Sequence, residues 1–382
     1  MRRRSIIGLA ASAAGAALLP AAFGPVAAEA GPEGLTEPVT FDTFDPAAAS
    51  CAPQLGLSRT LAFARDNDRD FIDGVDHGLS QAAQDRGLAY VSVNADNDSG
   101  RMVQQLQDLA AQKVGAVVVA PVDSERSVLP LKNLIWSGAY VGAIVPPPAT
   151  TILNAPQYLT GKVLAEAAAT HIAEKLQGRA NVVLMTHDSL QFLAPRFTAM
   201  RDVLRELPGA VIVADISPAT VSEQGGFDLM TTILLAEPQI DVVLGADTVV
   251  LGALAAMRQA GKVRADQFFG GIDGEPAAVA ELGDPKSPYR TSVSLASSVF
   301  GYAMGQHAAD WIEGKSIPKA IDVLPIALTP ETLFEYRADM ADPGQVYRDA
   351  KRLGRYLTFY GNTCTTSKDA YVNFPWSSES KS

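Results

Sequence analysis

From residue 58 onward, short runs of β-branched and other apolar residues alternate with longer segments whose apolar positions recur at helical spacing. The run "TLAFA" predicts a strand, and Phe71, Val75, Leu79 and Ala82 after it predict one face of a helix. The cycle continues with "LAYVSV" and a helix from about Arg101, "GAVVVAP" and a helix from about Glu125, then "AYVGAIV". After a loop read over "PPPATTILNAPQ" it restarts with a helix from about Thr160 to Leu176. "ANVVLM" is followed by a helix from about Pro195, "AVIVAD" by one from about Glu223, and "IDVVLGA" by one from Thr248 to Ala260 before "FFGGI".

Two successive sets of strand–helix units predict an α/β protein of two doubly wound, mainly parallel Rossmann-like lobes joined by a hinge. The later segments "YRTSVSL", a helix from about Val299 to Ile312, and "AIDVLPIAL" cross between them. The expected division is a signal peptide over 1–30, a stem over 31–57, lobe 1 over 58–155 plus about 296–320, lobe 2 over 156–295 plus about 321–335, and a C-terminal extension over 336–382. A helix from about Gly344 to Leu353 opens the last part of that extension. Its aromatic residues predict that the tail packs on the body.

Before the stem, Arg2, Arg3 and Arg4 precede an apolar stretch from Ile6 to Leu19 and the small-residue boundary "VAAEAG". "RRSII" has the form of a twin-arginine export signal, with cleavage near Ala28 or Ala30, so the mature chain is expected in the periplasm or at the cell surface. The whole chain of 382 residues has a formal charge of −11, and loss of residues 1–30, with three Arg and one Glu, takes it to −13. Such a surface repels phosphate backbones and excludes nucleic acid as an expected partner. Two cysteines, Cys51 and Cys364, stand near opposite ends of the exported chain, and an oxidising compartment lets them pair. A lipid anchor at Cys51 is the competing reading, but polar "TFDTFDP", not an apolar run, precedes it.

The stretch "RTLAFARDNDRDFIDGVDHG" crowds acids behind the first strand. A calcium loop starting at Asp66 would need Gly at its sixth position and Glu at its twelfth, and those positions hold Phe71 and His77. Asp70 and Asp73 instead have the spacing of a helix N-cap pair. In open α/β sheets small molecules bind beyond the carboxyl ends of strands, which makes Arg65, Arg69 and Phe71 ligand candidates: an Arg fork and an aromatic face grip a polar ring. His187 follows a strand of the second lobe and is a further candidate. The four histidines show no metal spacing, and there is neither a G-x-S-x-G elbow nor a P-loop, so no metal, cofactor or catalytic residue is expected.

Taken in order, "DFIDGVDHGLSQAA", "NADND" with "VQQLQDLAAQKVGAVVVAPVDSE", "PRFTAM", "LLAEPQIDVVLGADTVVLGALAAMRQAGK" and "FFGGIDGEPAAVAEL" make the chain resemble the type I periplasmic binding proteins of ribose-like sugar ABC importers, over roughly residues 58 to 328. The resemblance implies a monomeric binding protein, not an enzyme, that closes two lobes on a small sugar-like ligand and delivers it to an ABC permease in the membrane. It matches Arg196 to an arginine that bonds ligand oxygens, Asp273 to an aspartate that accepts ligand hydroxyl protons, and Phe71 to an aromatic that stacks on the sugar. Asp247 matches an acid that follows a ligand-binding Asn and opens a helix, and a helix cap is the expected role. Val145, Pro146, Val221, Ala246 and Leu295 stand where the family places polar contacts, so a less polar pocket than a free-sugar site is expected. The alternatives are an exported ligand sensor or a carbohydrate-processing enzyme on the same fold; a DNA-binding regulator would carry a helix-turn-helix where this chain carries its export signal.

Overall fold

The computed structural model describes residues 39–382 apart from 145–147, 190–192, 238, 365–370, 375 and 380–382, so the expected export signal lies outside the described residues. In the first half, β1 (Ser58–Arg65), α1 (Asp70–Asp85), β2 (Ala89–Asn94), α2 (Ser99–Ala111), β3 (Val114–Val119), α3 (Ser124–Trp136), β4 (Tyr140–Ile144) and β5 (Thr151–Asn154) alternate as the apolar pattern requires. The second half runs through α4 (Gln157–Lys175), β6 (Ala180–Met185), α5 (Ala194–Arg205), β7 (Ala210–Ile216), α6 (Glu223–Ala236), β8 (Val242–Leu244), α7 (Asp247–Gln259), β9 (Phe268–Asp273), α8 (Pro276–Gly283) and β10 (Tyr289–Ser294). The chain then returns through α9 (Ser297–Ile312), β11 (Ala320–Val323), β12 (Ile326–Leu328), α10 (Leu333–Ala341), α11 (Pro343–Arg348), α12 (Ala350–Leu353) and β13 (Leu357–Tyr360).

These strands form two sheets, ordered β13-β11-β5-β4-β3-β1-β2 and β12-β10-β9-β8-β6-β7. All neighbours run parallel except the two edge pairs β11–β13 and β10–β12. All six residues of β3 are buried, as a central parallel strand covered on both faces demands. The two halves repeat one design, with β1 between β2 and β3 and β6 between β7 and β8. Each sheet therefore has a switch point where the strand order reverses, and the carboxyl ends of β1 and β6 open onto it.

Several elements differ from the sequence reading. The loop read over "PPPATTILNAPQ" contains β5, a strand of four residues held between β4 and β11 by parallel pairing. Ala320–Val323 stands wholly in the first sheet, so the crossing expected near 320 follows Val323, and the chain returns to the first sheet once more at β13. The single helix expected from Gly344 to Leu353 is two, because the Asp349 backbone is extended and its side chain accepts from the N–H groups of Lys351 and Arg352, restarting the helix. β13 joins the C-terminal segment to the first sheet, and Thr43 of the stem bridges to Tyr360 beside it. The expected disulfide is present: Cys51 and Cys364 are bonded with Cα atoms 5.9 Å apart across 313 residues of sequence. Among the described residues no helix is long and apolar enough to cross a membrane.

Candidate functional site

The first lobe supplies the end of β1 and the start of α1. Arg65 closes β1, and its guanidinium is held by Asp73 at 2.8 Å and Asp68 at 2.7 Å. Arg69 pairs with Asp66 at 3.2 Å and lies over the Phe71 ring, 5.7 Å from its centroid. Phe71 in turn packs on Phe300 of α9, with centroids 5.8 Å apart. Most of the crowded acids are therefore counter-ions that fix two arginines at a strand end. No side chain caps α1: Arg69 occupies the cap position, and Asp70 and Asp73, expected as caps, sit in the first turn, where the helix dipole favours negative charge.

In the second lobe Arg196 lies in the first turn of α5 and is only 6% exposed. Its Nε donates to Gln157 Oε1 at 2.7 Å. A Cβ at Gly161 would stand 1.8 Å from the Arg196 carbonyl oxygen, so only glycine lets α4 approach α5 closely enough to set this geometry. Burial lowers the Arg196 pKa, and the charge of Asp273 opposes that shift. Asp273 ends β9 with φ of 120°, an unfavourable backbone for a residue with a side chain and a conformation that accumulates at ligand sites. Burial raises its pKa, while Arg196 of its own lobe and Arg69 of the first lobe pull it down. Charges from both lobes thus converge on one carboxylate.

A buried network holds the turn after Asp273. Asp247, fully buried, accepts from Tyr289 Oη at 2.7 Å, Ser292 Oγ at 2.6 Å and the Glu275 N–H at 2.9 Å. It makes no cap bond on its own helix α7. Asp247 ties the start of α7 to β10 and the turn, a correction to the cap expected from its position. Burial raises its pKa to about 6 despite those donors. Gly274 has φ of 72° and donates its N–H to Ser292 Oγ; its carbonyl accepts from Tyr336 Oη at 3.2 Å. Tyr336 belongs to α10 in the C-terminal extension, which thereby buttresses the site.

Sequence reasoning missed Glu275, Gln157 and Tyr336. Glu275 is 8% exposed, and burial, followed by the charges of Asp273, Asp247 and Asp70, raises its pKa to about 8 against the pull of Arg69. The "GIDGEP" string offered a signal only for a turn and a helix start. His187 lies just beyond β6, and neither buried ring nitrogen has a hydrogen-bond partner among the described residues. Burial lowers its pKa, opposed by Asp188. Among the positions expected to make the pocket less polar, Leu295 is buried, Ala246 precedes α7 and is partly buried, and Val221 is exposed. Val145 and Pro146 lie outside the described residues. Arg65, Arg69 and Phe71 thus gather at one strand end, Arg196, Asp273 and Glu275 at the ends of another sheet, with His187 beyond β6 of that sheet.

The sequence pattern of the periplasmic binding protein domain matches residues 61–316, more than half of the chain. The chain is 27% identical over 266 residues to the ribose import binding protein of Bacillus subtilis, covering 66% of this chain and 80% of that one. Its fold is similar to that of the Caulobacter myo-inositol binding protein bound to myo-inositol, with a TM-score of 0.63 and 23% identity over 73% of this chain and 96% of that one. It is similar also to a 5-methylthioribose transporter solute binding protein from Thermotoga lettingae in complex with 5-methylthioribose, with a TM-score of 0.64 and 20% identity over 79% and 95% of the two chains.

Proposed function

The chain belongs to the periplasmic binding protein domain family, and from that membership we propose that it is an exported solute-binding protein of an ABC importer that captures one small, polyhydroxylated ligand between its lobes. The observation that carries this reading is a buried Arg196 and a half-buried Asp273 within electrostatic reach of each other in one lobe, with Arg69, set over the Phe71 ring, acting on the same carboxylate from the other. Arg196 donates to ligand oxygens, Asp273 accepts from ligand hydroxyls, and Phe71 under Arg69 offers a face to the ligand's apolar side. Hinge closure brings these groups together and excludes water, which strengthens each polar contact. The protein needs no bond-breaking group for this task, and it acts as a monomer that hands its ligand to a membrane permease.

Ala246 and Leu295 stand at positions where the family resemblance expects polar contacts to a free pentose or hexose. A buried hydroxyl without a partner costs about 1–3 kcal/mol, so the site favours a sugar or cyclitol that carries an apolar substituent. A thermal-shift screen of the mature protein against D-ribose, D-allose, myo-inositol and 5-methylthioribose tests this. A rise in melting temperature with at least one of them supports the reading, with the largest rise expected for 5-methylthioribose; no rise with any of the four at millimolar concentration contradicts it.

A further inference from the structure

The C-terminal segment does more than cover the first lobe. Val372 exchanges both backbone hydrogen bonds with Ala149, just before the start of β5. Trp376 stacks on Phe41 of the stem and packs tilted against Tyr360 of β13, each with centroids 5.3 Å apart, and its indole N–H donates to the Val39 carbonyl at 2.9 Å. These contacts fix the segment to the first lobe. Three residues later the Glu379 carboxylate reaches the second: it accepts from the N–H of Tyr158 at 3.2 Å and of Leu159 at 2.8 Å.

Tyr158 and Leu159 lie in the first turn of α4, whose cap residue is Pro156 and which has no side-chain cap of its own. Glu379 supplies what a Ser or Asp at the cap normally supplies, acceptors for the orphan amides and a negative charge at the positive end of the helix dipole. The rest of α4 packs in the second lobe, its Leu164, Ala165, Ala168 and Ile172 buried with residues of β6 and α5. The crossing between lobes lies immediately beside this contact. Asn154, the last residue of β5, donates to Asp322 of β11 at 2.6 Å, both side chains being buried next to two of the crossings.

We propose that the C-terminal segment is a clasp across the hinge, with Glu379 as the catch that fastens the second lobe at its present angle to the first. The anchors at Ala149, Phe41 and Val39 move with the first lobe, and the first turn of α4 moves with the second. Rotation about the crossings therefore separates Glu379 from its two amides. A contact made at one interlobe angle and lost at others shifts the population toward that angle by its own free energy.

The test uses the full mature chain without ligand, so it depends only on the two-lobed hinge and its failure leaves the binding reading untouched. Glu379→Ala and a chain ending at Phe374 are compared with wild type by hydrogen exchange over the first turn of α4 and by small-angle X-ray scattering. The clasp predicts exchange about five- to tenfold faster at Tyr158 and Leu159 in both variants, together with a changed radius of gyration, and an intermediate effect in Glu379→Gln, whose single carbonyl oxygen still accepts. Faster exchange with unchanged scattering would reduce the contact to a local cap and overturn the clasp. Unchanged exchange would remove Glu379 as the catch.

Discussion

Replacing Glu275 by Gln keeps the shape of the side chain and deletes a titrating group that is 8% exposed. Burial first, then the neighbouring carboxylates of Asp273, Asp247 and Asp70, raise its pKa from 4.5 to about 8, with Arg69 opposing. An acid whose pKa is higher folded than unfolded binds more protons in the folded state. Its contribution to stability is complete below pH 4.5 and is lost as the pH rises toward about 8. At about 1.4 kcal/mol for each tenfold change in acidity, that interval is worth up to about 5 kcal/mol, and relaxation around the charged group reduces it to the order of 2–3 kcal/mol. The amide of Glu275→Gln does not titrate, so urea unfolding followed by circular dichroism should give nearly equal stabilities for the two proteins at pH 4.5. At pH 8.5 the variant should be the more stable by about 2–3 kcal/mol. Parallel pH profiles across that range would refute the assignment of a strained acid to this turn.

The disulfide closes a loop of 313 residues, which in the chain-entropy model stabilises by up to about 5–6 kcal/mol. Thiol titration of denatured, unreduced mature protein should find no free thiol, and reductant should lower the melting temperature; two thiols per chain would contradict the pairing. Tyr336→Phe deletes the hydroxyl that donates to Gly274 and accepts from Ser294, and it should cost about 1–2 kcal/mol in urea unfolding, with an unchanged stability arguing that the turn is held without α10. Replacing Arg3 and Arg4 by Lys should leave the precursor in the cytoplasm, as read by fractionation and blotting, and normal export of that variant would exclude the twin-arginine route.

How much of this was legible in the sequence depended on how local its cause is. The six consecutive buried residues of β3 and the helical recurrence of Phe71, Val75, Leu79 and Ala82 carry their own signal, so both lobes and the order of their units could be read directly. Arg196 and Asp273 were singled out by the family resemblance, and each falls near the end of a strand, where an α/β sheet gathers its ligand. By contrast, β5 was hidden: four residues beside three prolines become a strand only when β4 and β11 lie on either side. Glu275 reads as an ordinary helix start, and the backbone turn it stands in is held by Asp247, Ser292 and Tyr336 brought from elsewhere in the chain. Asp247 looked like a cap because it opens a helix, yet its three donors come from Tyr289, Ser292 and Glu275. Glu379 meets amides 221 and 220 residues away, a partnership that no window of sequence contains.

The central claim is that Arg196 and Asp273 grip a small oxygen-rich ligand between the lobes. Isothermal titration calorimetry with 5-methylthioribose, and with the best of D-ribose, D-allose and myo-inositol, on wild type, Arg196→Ala and Asp273→Ala tests it most directly. Loss of a charged partner weakens a buried hydrogen bond by about 1.5–3 kcal/mol, so the dissociation constant should rise about ten- to more than a hundredfold in Arg196→Ala, and it should rise in Asp273→Ala as well. Undiminished affinity in both folded variants would place the binding site elsewhere and contradict the account.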